Sequence, residues 1–455
     1  MGNWQQHLDS SRAEGLDELF DILRIPSVST EPAHANDVRR CAQWVANRLM
    51  RAGVPEVEML ETALHPVVFG RWHAAPGKPT LLIYGHYDVQ PVDPLDLWAT
   101  DPFEPTVRNG KIYARGVSDM KANLVTVVQA VEALARSSGA PPVNVTFFFE
   151  GEEEIASPHA ADVLSQHNDR FAADLVLSCD GGQAGPGEGK LTVAFKGVTG
   201  LQINLSTGST DLHSGGYGAA VPNAAQAIAK LAASFHDEQG RVLVEGFYDD
   251  VVELTDQDRA EFKAAETPDV DLMAEAGVRA LWGESGYTAQ ERRGGRPTID
   301  VNGVWGGFQG AGVKTVTPCV AHLKVTSRLV ANQDNLRIAG LIKEHARCHA
   351  PAGAEITFSD EEEGSKPYMA PRNFIGERVA RDVLEAQYGS PPQIARAGGS
   401  VPILATFKDI LGIDTVTIGF GLPGSQAHAP NEWYLESQFD RARTVYAAFL
   451  EALGQ

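Results

Sequence analysis

The chain has 455 residues, more than one ordinary core accommodates, so two domains are the expectation. A hydrophobic share of 43% fits a well-packed globular protein, while a formal net charge of −21 would repel phosphate backbones and argues against a nucleic-acid partner. No stretch approaches the roughly 18 consecutive apolar residues of a membrane helix. The N-terminal "MGNWQQHLDSS" lacks an apolar leader, and Gln6 stands where a myristoylation signal takes Ser or Thr. Cys41, Cys179, Cys319 and Cys348 form no CxxC pair, which suggests reduced thiols. A cytoplasmic protein with no membrane partner is expected.

In chain order, "LDELFDILRI" and "VRRCAQWVANRLMRAG" carry apolar residues at helical spacing, with Gly53 as a stop for the second. "TLLIYG" reads as a buried strand and "SDMKANLVTVVQAVEALARSSG" as a helix capped by Ser118. "VNVTFFFE" and "ADLVLSCD" read as further buried strands, separated by a helix opening at Ser157 and Pro158. This is the rhythm of an α/β fold, a helix-covered and largely parallel sheet. After about Lys196 the texture changes: "GLQINLST" and "CVAHLKVTSRLV" alternate apolar and polar, as in a sheet with one wet face, and "VPNAAQAIAKLAASFHD" is an amphipathic helix. A polar, charge-rich segment runs from about Tyr248 to Arg296, and "DTVTIGFGLPG" returns to a buried strand. The expected organisation is a catalytic domain over 1–195 and 366–455, with an α+β domain over 196–365 inserted in it.

In open α/β sheets, ligands gather at the carboxyl ends of strands. His86 and Asp88 follow one predicted strand, and Asp119 opens the helix after "IYARGVS". Glu153 and Glu154 follow "VTFFF", Asp180 follows "LVLSC", and His428 lies beyond the last strand. Singly each has a plain structural explanation, a loop histidine, a cap or a solvated acidic run, but surface runs do not usually follow three phenylalanines, Phe147 to Phe149. Several carboxylates at one low-dielectric edge repel each other unless cations neutralise them. Oxygen and imidazole ligands suit zinc, manganese or cobalt, and His86, Asp119, Glu154, Asp180 and His428 have the number and kind that two divalent ions need. Asp88 can hold the free ring nitrogen of His86. Neighbours in an extended stretch point opposite ways, so of Glu153 and Glu154 one can bind metal while the other serves as general base.

The ordered set "GHYDVQP", "ARGVSDMK", "EGEEEIASP", "CDGG", "GGSVPI" and "HAPNEW" resembles the two-metal aminoacylase, carboxypeptidase G and carnosinase family of metallopeptidases, from about Leu81 to the C-terminus. The resemblance implies Glu153 as general base and Asp119 as bridging ligand. It pairs His86 with Asp180 on one metal and Glu154 with His428 on the other. "DLHSGGYGAAVPNAA" and "GGFQGAGVKTVTPCVAHLKVTSRLV" look like the family's lid, which also forms a homodimer. It further implies that His213 reaches across the dimer to the oxyanion and that Arg328 holds the substrate carboxylate, for which a guanidinium fork is chemically suited. Without the resemblance, His213 reads as a turn residue beside Gly215 and Gly216.

Gly398, Gly399 and Ser400 correspond to a substrate-lining loop; "AGGSVP" lacks the second glycine of a serine-nucleophile elbow. Met120 and Ala122 stand where the family carries a polar residue and a glycine, and Ala156 where glycine is common. None of these removes a ligand. An aspartate at 180, "HYDVQP" and the long lid lean towards the dipeptidase, carnosinase-like branch, with a small peptide as substrate. The rival readings are an N-acyl-amino-acid deacylase or desuccinylase of the same family, and a non-catalytic, metal-stabilised binding protein.

Overall fold

The computed structural model describes residues 3–455; Met1 and Gly2, where the N-terminal stretch discussed above begins, lie outside the described residues. Two compact units emerge. The first comprises the chain through Val193 with Ala370–Ala395 and Ile403–Gln455, and the second Ala194–Met369 with Arg396–Pro402. The boundaries drawn from sequence at 195/196 and 365/366 differ by a few residues. They also left Arg396–Pro402 in the first domain, whereas these residues cluster with the second unit.

The first unit is built on a sheet whose strands run Glu56–Leu60, Val67–Trp72, Asn144–Glu150, Thr80–His86, Leu175–Ser178 and Thr415–Thr417 in spatial order. The four strands from Asn144–Glu150 to Thr415–Thr417 are parallel. Val67–Trp72 and Glu56–Leu60 add antiparallel on one side, and Thr192 pairs antiparallel with Thr417 on the other. The parallel centre consists of apolar runs because helices bury both faces. Leu81, Ile83, Val145, Phe147, Phe149, Leu175 and Leu177 pack with Val125, Val128, Val131, Val445 and Phe449 of the Ala122–Ser138 and Glu436–Leu453 helices. The Ala35–Ala52 helix ends at Gly53 in the left-handed region, as its sequence predicts.

Three local expectations are corrected. Ser118 does not cap a helix: the regular helix begins at Ala122, and Val117–Lys121 forms an irregular turn in which Asp119 (φ −126°, ψ 92°) is not helical. Its hydroxyl instead donates to Ser425 Oγ at 3.2 Å. The next helix spans Ala160–Gln166 rather than opening at Ser157 and Pro158, because the Ser157 hydroxyl is taken by the buried Glu150 carboxylate at 2.9 Å. Glu153–Ile155 is a tight 3-10 turn rather than an extended stretch, so the two glutamates are not forced to opposite sides.

The second unit holds a four-stranded antiparallel sheet in the order Thr298–Gly306, Val320–Leu329, Gly197–Ser206, Glu355–Ser365. The alternating apolar residues Leu201, Ile203, Leu205, Leu323 and Val325 form one face. Ile228 and Leu231 of the Ala224–Ala233 helix and Ile338 and Ile342 of the Asn335–His349 helix cover it. The charge-rich stretch after Tyr248 contains three short helices and a buried ion pair between Arg296 and Glu284, Nε to Oε2 at 2.8 Å.

Candidate metal centre

The carboxyl ends of the parallel strands of the first unit deliver the polar side chains. His86 is the last residue of Thr80–His86 and is fully buried. Asp119 comes from the irregular turn before the Ala122–Ser138 helix, Glu153 and Glu154 from the turn after Asn144–Glu150, and Asp180 from the loop after Leu175–Ser178. His428 sits in the loop beyond Thr415–Thr417, in the left-handed region at φ 61°.

Asp119 is the centre of the arrangement. Its Oδ1 lies 3.2 Å from His86 Nε2 and its Oδ2 lies 3.1 Å from His428 Nε2. His428 Nε2 is also 3.2 Å from Glu154 Oε2. Among the described residues, three sets have ligand atoms within 4.8 Å of one another: His86, Asp119 and Asp180; Asp119, Glu154 and His428; and His86, Glu153 and Glu154. Every metal ligand expected from sequence, together with Glu153, is thus brought to one place.

Asp88 is fully buried and does more than face His86. Its Oδ1 is 3.4 Å from His86 Nδ1, but that nitrogen is closer to the Asp88 carbonyl oxygen, at 3.1 Å. The carboxylate accepts the backbone N–H groups of Glu153 at 3.3 Å and Glu154 at 3.0 Å, and the Ser29 hydroxyl at 2.7 Å. It therefore closes the glutamate turn. Gln90 Nε2 donates to Glu154 Oε2 at 2.8 Å. Ser29 carries no sequence signal for this role, whereas Gln90 stands inside the quoted "GHYDVQP" motif. Glu150 and Glu152, the other acids of the "EGEEE" run, are buried elsewhere: Glu152 accepts from Thr62 Oγ1 and the His65 N–H at 2.7 and 2.8 Å.

The electrostatics are those of a crowded acidic edge. Burial, and then the charges of Asp180, Glu154 and Asp119, push Glu153 well above the usual carboxylate range, although His86 opposes them. Burial and Asp119 push Asp180 up to about 7. Hydrogen bonds to Asp119 and Glu154 raise His428 to about 10. Burial would lower His86, but its bonds to Asp119 and Asp88 outweigh that and raise it well above its ordinary value. Asp119 is lowered despite burial because both imidazoles face it. Acids forced to keep protons and imidazoles forced to keep theirs are groups that divalent cations would relieve, so the donor set fits a pair of such ions.

Met120, at the first departure from the family pattern, is buried with Sδ 3.4 Å from the His86 N–H, and Ala156 occupies the left-handed region at φ 69°. In the second unit, Arg328 Nη1 donates to Ser400 Oγ at 3.0 Å and the Gly399 carbonyl accepts from the Lys196 N–H at 3.0 Å, so the residues expected to bind substrate there lie together. His213 is exposed, and its Nδ1 accepts the Gly215 N–H at 3.0 Å, the turn role its neighbours suggest.

A parallel-centred α/β sheet whose strand ends gather four further acid and imidazole side chains around Asp119 defines the class: a protein whose donor set fits a pair of divalent metals. Comparison with known proteins narrows it. Residues 82–452 match Peptidase family M20/M25/M40, and the chain belongs to that family. It is 28% identical over 469 residues to the Cys-Gly metallodipeptidase DUG1 of Saccharomyces cerevisiae, covering 98% of this chain and 96% of that one. It is 26% identical over 474 residues to the human Beta-Ala-His dipeptidase, covering 99% and 92%. Among solved structures, the M20 family metallo-carboxypeptidase Sso-CP2 from Sulfolobus solfataricus is similar at a TM-score of 0.83 and 33% identity, covering 97% of this chain and 99% of that one.

Proposed function

We propose that this protein is a metal-dependent dipeptidase that hydrolyses the amide bond of dipeptides or short peptides, with Glu153 as general base. The observation that carries the reading is Asp119, one oxygen 3.2 Å from His86 and the other 3.1 Å from His428, with Glu153 grouped beside His86. Kinship with dipeptidases and with a carboxypeptidase supports the same substrate class, because both release a C-terminal amino acid that carries a free carboxylate.

In this reading His86 and Asp180 hold one ion, Glu154 and His428 hold the other, and Asp119 is shared. Bound divalent metal supplies Lewis acidity toward the amide carbonyl and lowers the pKa of water. Glu153 takes one proton from the attacking water and returns it to the nitrogen of the leaving amine as the carbon–nitrogen bond breaks. Asp88 holds the Glu153 N–H and so fixes the base. Arg328, with Ser400 and Gly399 beside it, receives the substrate carboxylate as a bidentate fork. His213, contributed from a second copy of the chain, donates to the developing oxyanion. Zinc is the metal we favour, with manganese or cobalt as alternatives, and the working form is a cytoplasmic homodimer assembled through the second unit. Among the described residues no helix is long and apolar enough to cross a membrane.

The test is hydrolysis of a panel of dipeptides and N-acyl amino acids, before and after chelation and with zinc or manganese restored. Chelator-sensitive dipeptide cleavage is expected; deacylation alone would move the activity to the rival chemistry on the same residues, and metal uptake with no turnover would favour a binding protein. Glu153→Gln should retain metal and lose about two to four orders of magnitude in rate, and full activity in that variant would remove Glu153 from the mechanism.

A further inference from the structure

Glu432 is a carboxylate that the mechanism does not use, and it is completely buried. It lies four residues beyond His428 and reaches back to the turn that carries Asp119. Its Oε2 accepts Arg115 Nη1 and the Gly116 N–H, each at 2.8 Å, and its Oε1 accepts the Ser118 N–H at 2.8 Å and the Asp119 N–H at 3.1 Å. Gly116 is in the left-handed region at φ 78°, and the segment after it is neither helix nor strand at Asp119, so its backbone donors have no regular partners to turn to. One carboxylate collects three of them.

The other anchors point the same way. Arg115 is buried, donates a second bond to the Pro91 carbonyl at 2.9 Å, and places its guanidinium over the Trp98 ring. Beyond Asp119, the buried Lys121 donates from Nζ to the carbonyls of Ile22 and Ile25 at 3.2 and 2.7 Å. The Ser118–Ser425 hydroxyl pair joins the turn to the opposite end of the loop that bears His428, and that loop is closed on itself by the Trp433 N–H donating to the Ser425 carbonyl at 2.9 Å. The Asp119 turn and the His428 loop are therefore tied at two points on either side of their 3.1 Å contact.

We propose that Glu432 is a positioning residue of the metal centre, fixing the Gly116–Asp119 turn so that Asp119 presents one oxygen to the His86 side and the other to the His428 side. The inference rests on reading Asp119 as the shared ligand. A carboxylate is required at 432 because four donors converge on it; a glutamine of the same size would turn an amide N–H₂ against two of them. Loss of such outer support costs about 10–100-fold in metal affinity or activity in metalloproteins generally.

The experiment uses the full-length protein, stripped of metal and titrated with cobalt(II) alone. It reads affinity by chelator competition, the visible spectrum of the bound ion, and the melting of the metal-free form. Glu432→Gln should bind cobalt about 10–100-fold more weakly, with an altered spectrum, and should lose kcat rather than raise KM. A variant that melts lower but keeps affinity within threefold, at about the wild-type value, and keeps the same spectrum would make Glu432 a structural residue and overturn the proposal. Glu432→Asp retains the buried charge while shortening its reach, so it serves if the glutamine variant does not fold, with the same two readings. Wild-type protein that takes up no cobalt would defeat the metal reading itself, whereas wild type and variant binding alike would defeat this inference alone.

Discussion

Replacing Asp88 by asparagine isolates the support of the general base. The side chain keeps its shape but only one carboxamide oxygen, and the two faces it serves are unequal. Oδ2 receives the Ser29 hydroxyl at 2.7 Å and the Glu154 N–H at 3.0 Å, whereas Oδ1 receives the Glu153 N–H at 3.3 Å and faces His86 Nδ1 at 3.4 Å. The amide will turn its oxygen to the stronger pair and its N–H₂ toward Glu153 and His86. His86 keeps the Asp88 carbonyl at 3.1 Å, so its orientation toward Asp119 is retained. The Glu153 N–H loses a charged acceptor, an interaction of about 1.5–3 kcal/mol. If that loss falls wholly on the placement of the base, kcat drops about 10–100-fold, with metal content and KM near the wild-type values. Steady-state kinetics on a cleaved dipeptide, with metal quantified in the same samples, measure this. A kcat within twofold of wild type, or a kcat that falls only in proportion to lost metal, would show that Asp88 does not act through the Glu153 turn.

Asp180 is raised from 3.8 to about 7 and His428 from 6.5 to about 10, so both contribute stability that is complete below their unfolded values and disappears as pH rises through their folded ones. Metal-free protein should therefore weaken as pH climbs, while metal, which needs deprotonated ligands, binds better. The gap in Tm between metal-loaded and chelator-treated protein should widen from pH 5.5 to 8 in roughly monotonic fashion, and a constant or narrowing gap would refute the assignment. A Cβ at Gly182 would run into the Gly421 carbonyl where the loops after two parallel strands meet, so Gly182→Ala should cost about 1–3 kcal/mol in chemical denaturation and lower metal content through Asp180. Unchanged stability would contradict the close approach. Phe148 is fully buried against Phe171 and Phe407, with ring centroids 5.1 and 5.6 Å away, so Phe148→Ala should cost about 3–5 kcal/mol, and a loss below about 1 kcal/mol would mean that the site collapses without a cavity.

What the sequence disclosed was whatever is written in contiguous residues. Apolar runs ending at Gly85, Glu150 and Cys179 marked strand exits, and the polar residues after them are those gathered around Asp119. The turns that aim those residues were not legible, because partners far along the chain hold them. Asp119 is shaped by Glu432, 313 positions away, and the Glu153 turn by Asp88, 65 positions away. Side-chain to backbone bonds of that kind leave no period and no propensity. The expected cap at Ser118 and helix start at Ser157 failed for the same reason: each hydroxyl found a buried tertiary acceptor in place of a local one. Direction within the sheet was also hidden, since the antiparallel strand Val67–Trp72 opens with a buried apolar run, Val67 to Phe69, much like the parallel strands it joins.

The long-range ties explain how so unfavourable a cluster persists. Acids and imidazoles crowded at one edge of the sheet would scatter toward solvent if their turns were free, because each gains hydration by leaving. Here the Glu153 turn and the Asp119 turn are held from behind by groups that are themselves buried and bonded: Asp88 behind Glu153 and Glu154, Glu432 behind Asp119, Lys121 behind the Asp119 turn. The conflict is thus left among the ligands and is not relaxed by the backbone. The two imidazoles are raised and hold Asp119 low between them, while burial and neighbouring charge push Asp180 and Glu153 up. Dications placed among these groups would offset the repulsion that raises Glu153 and Asp180, a relief that the backbone, tied from behind, does not itself provide.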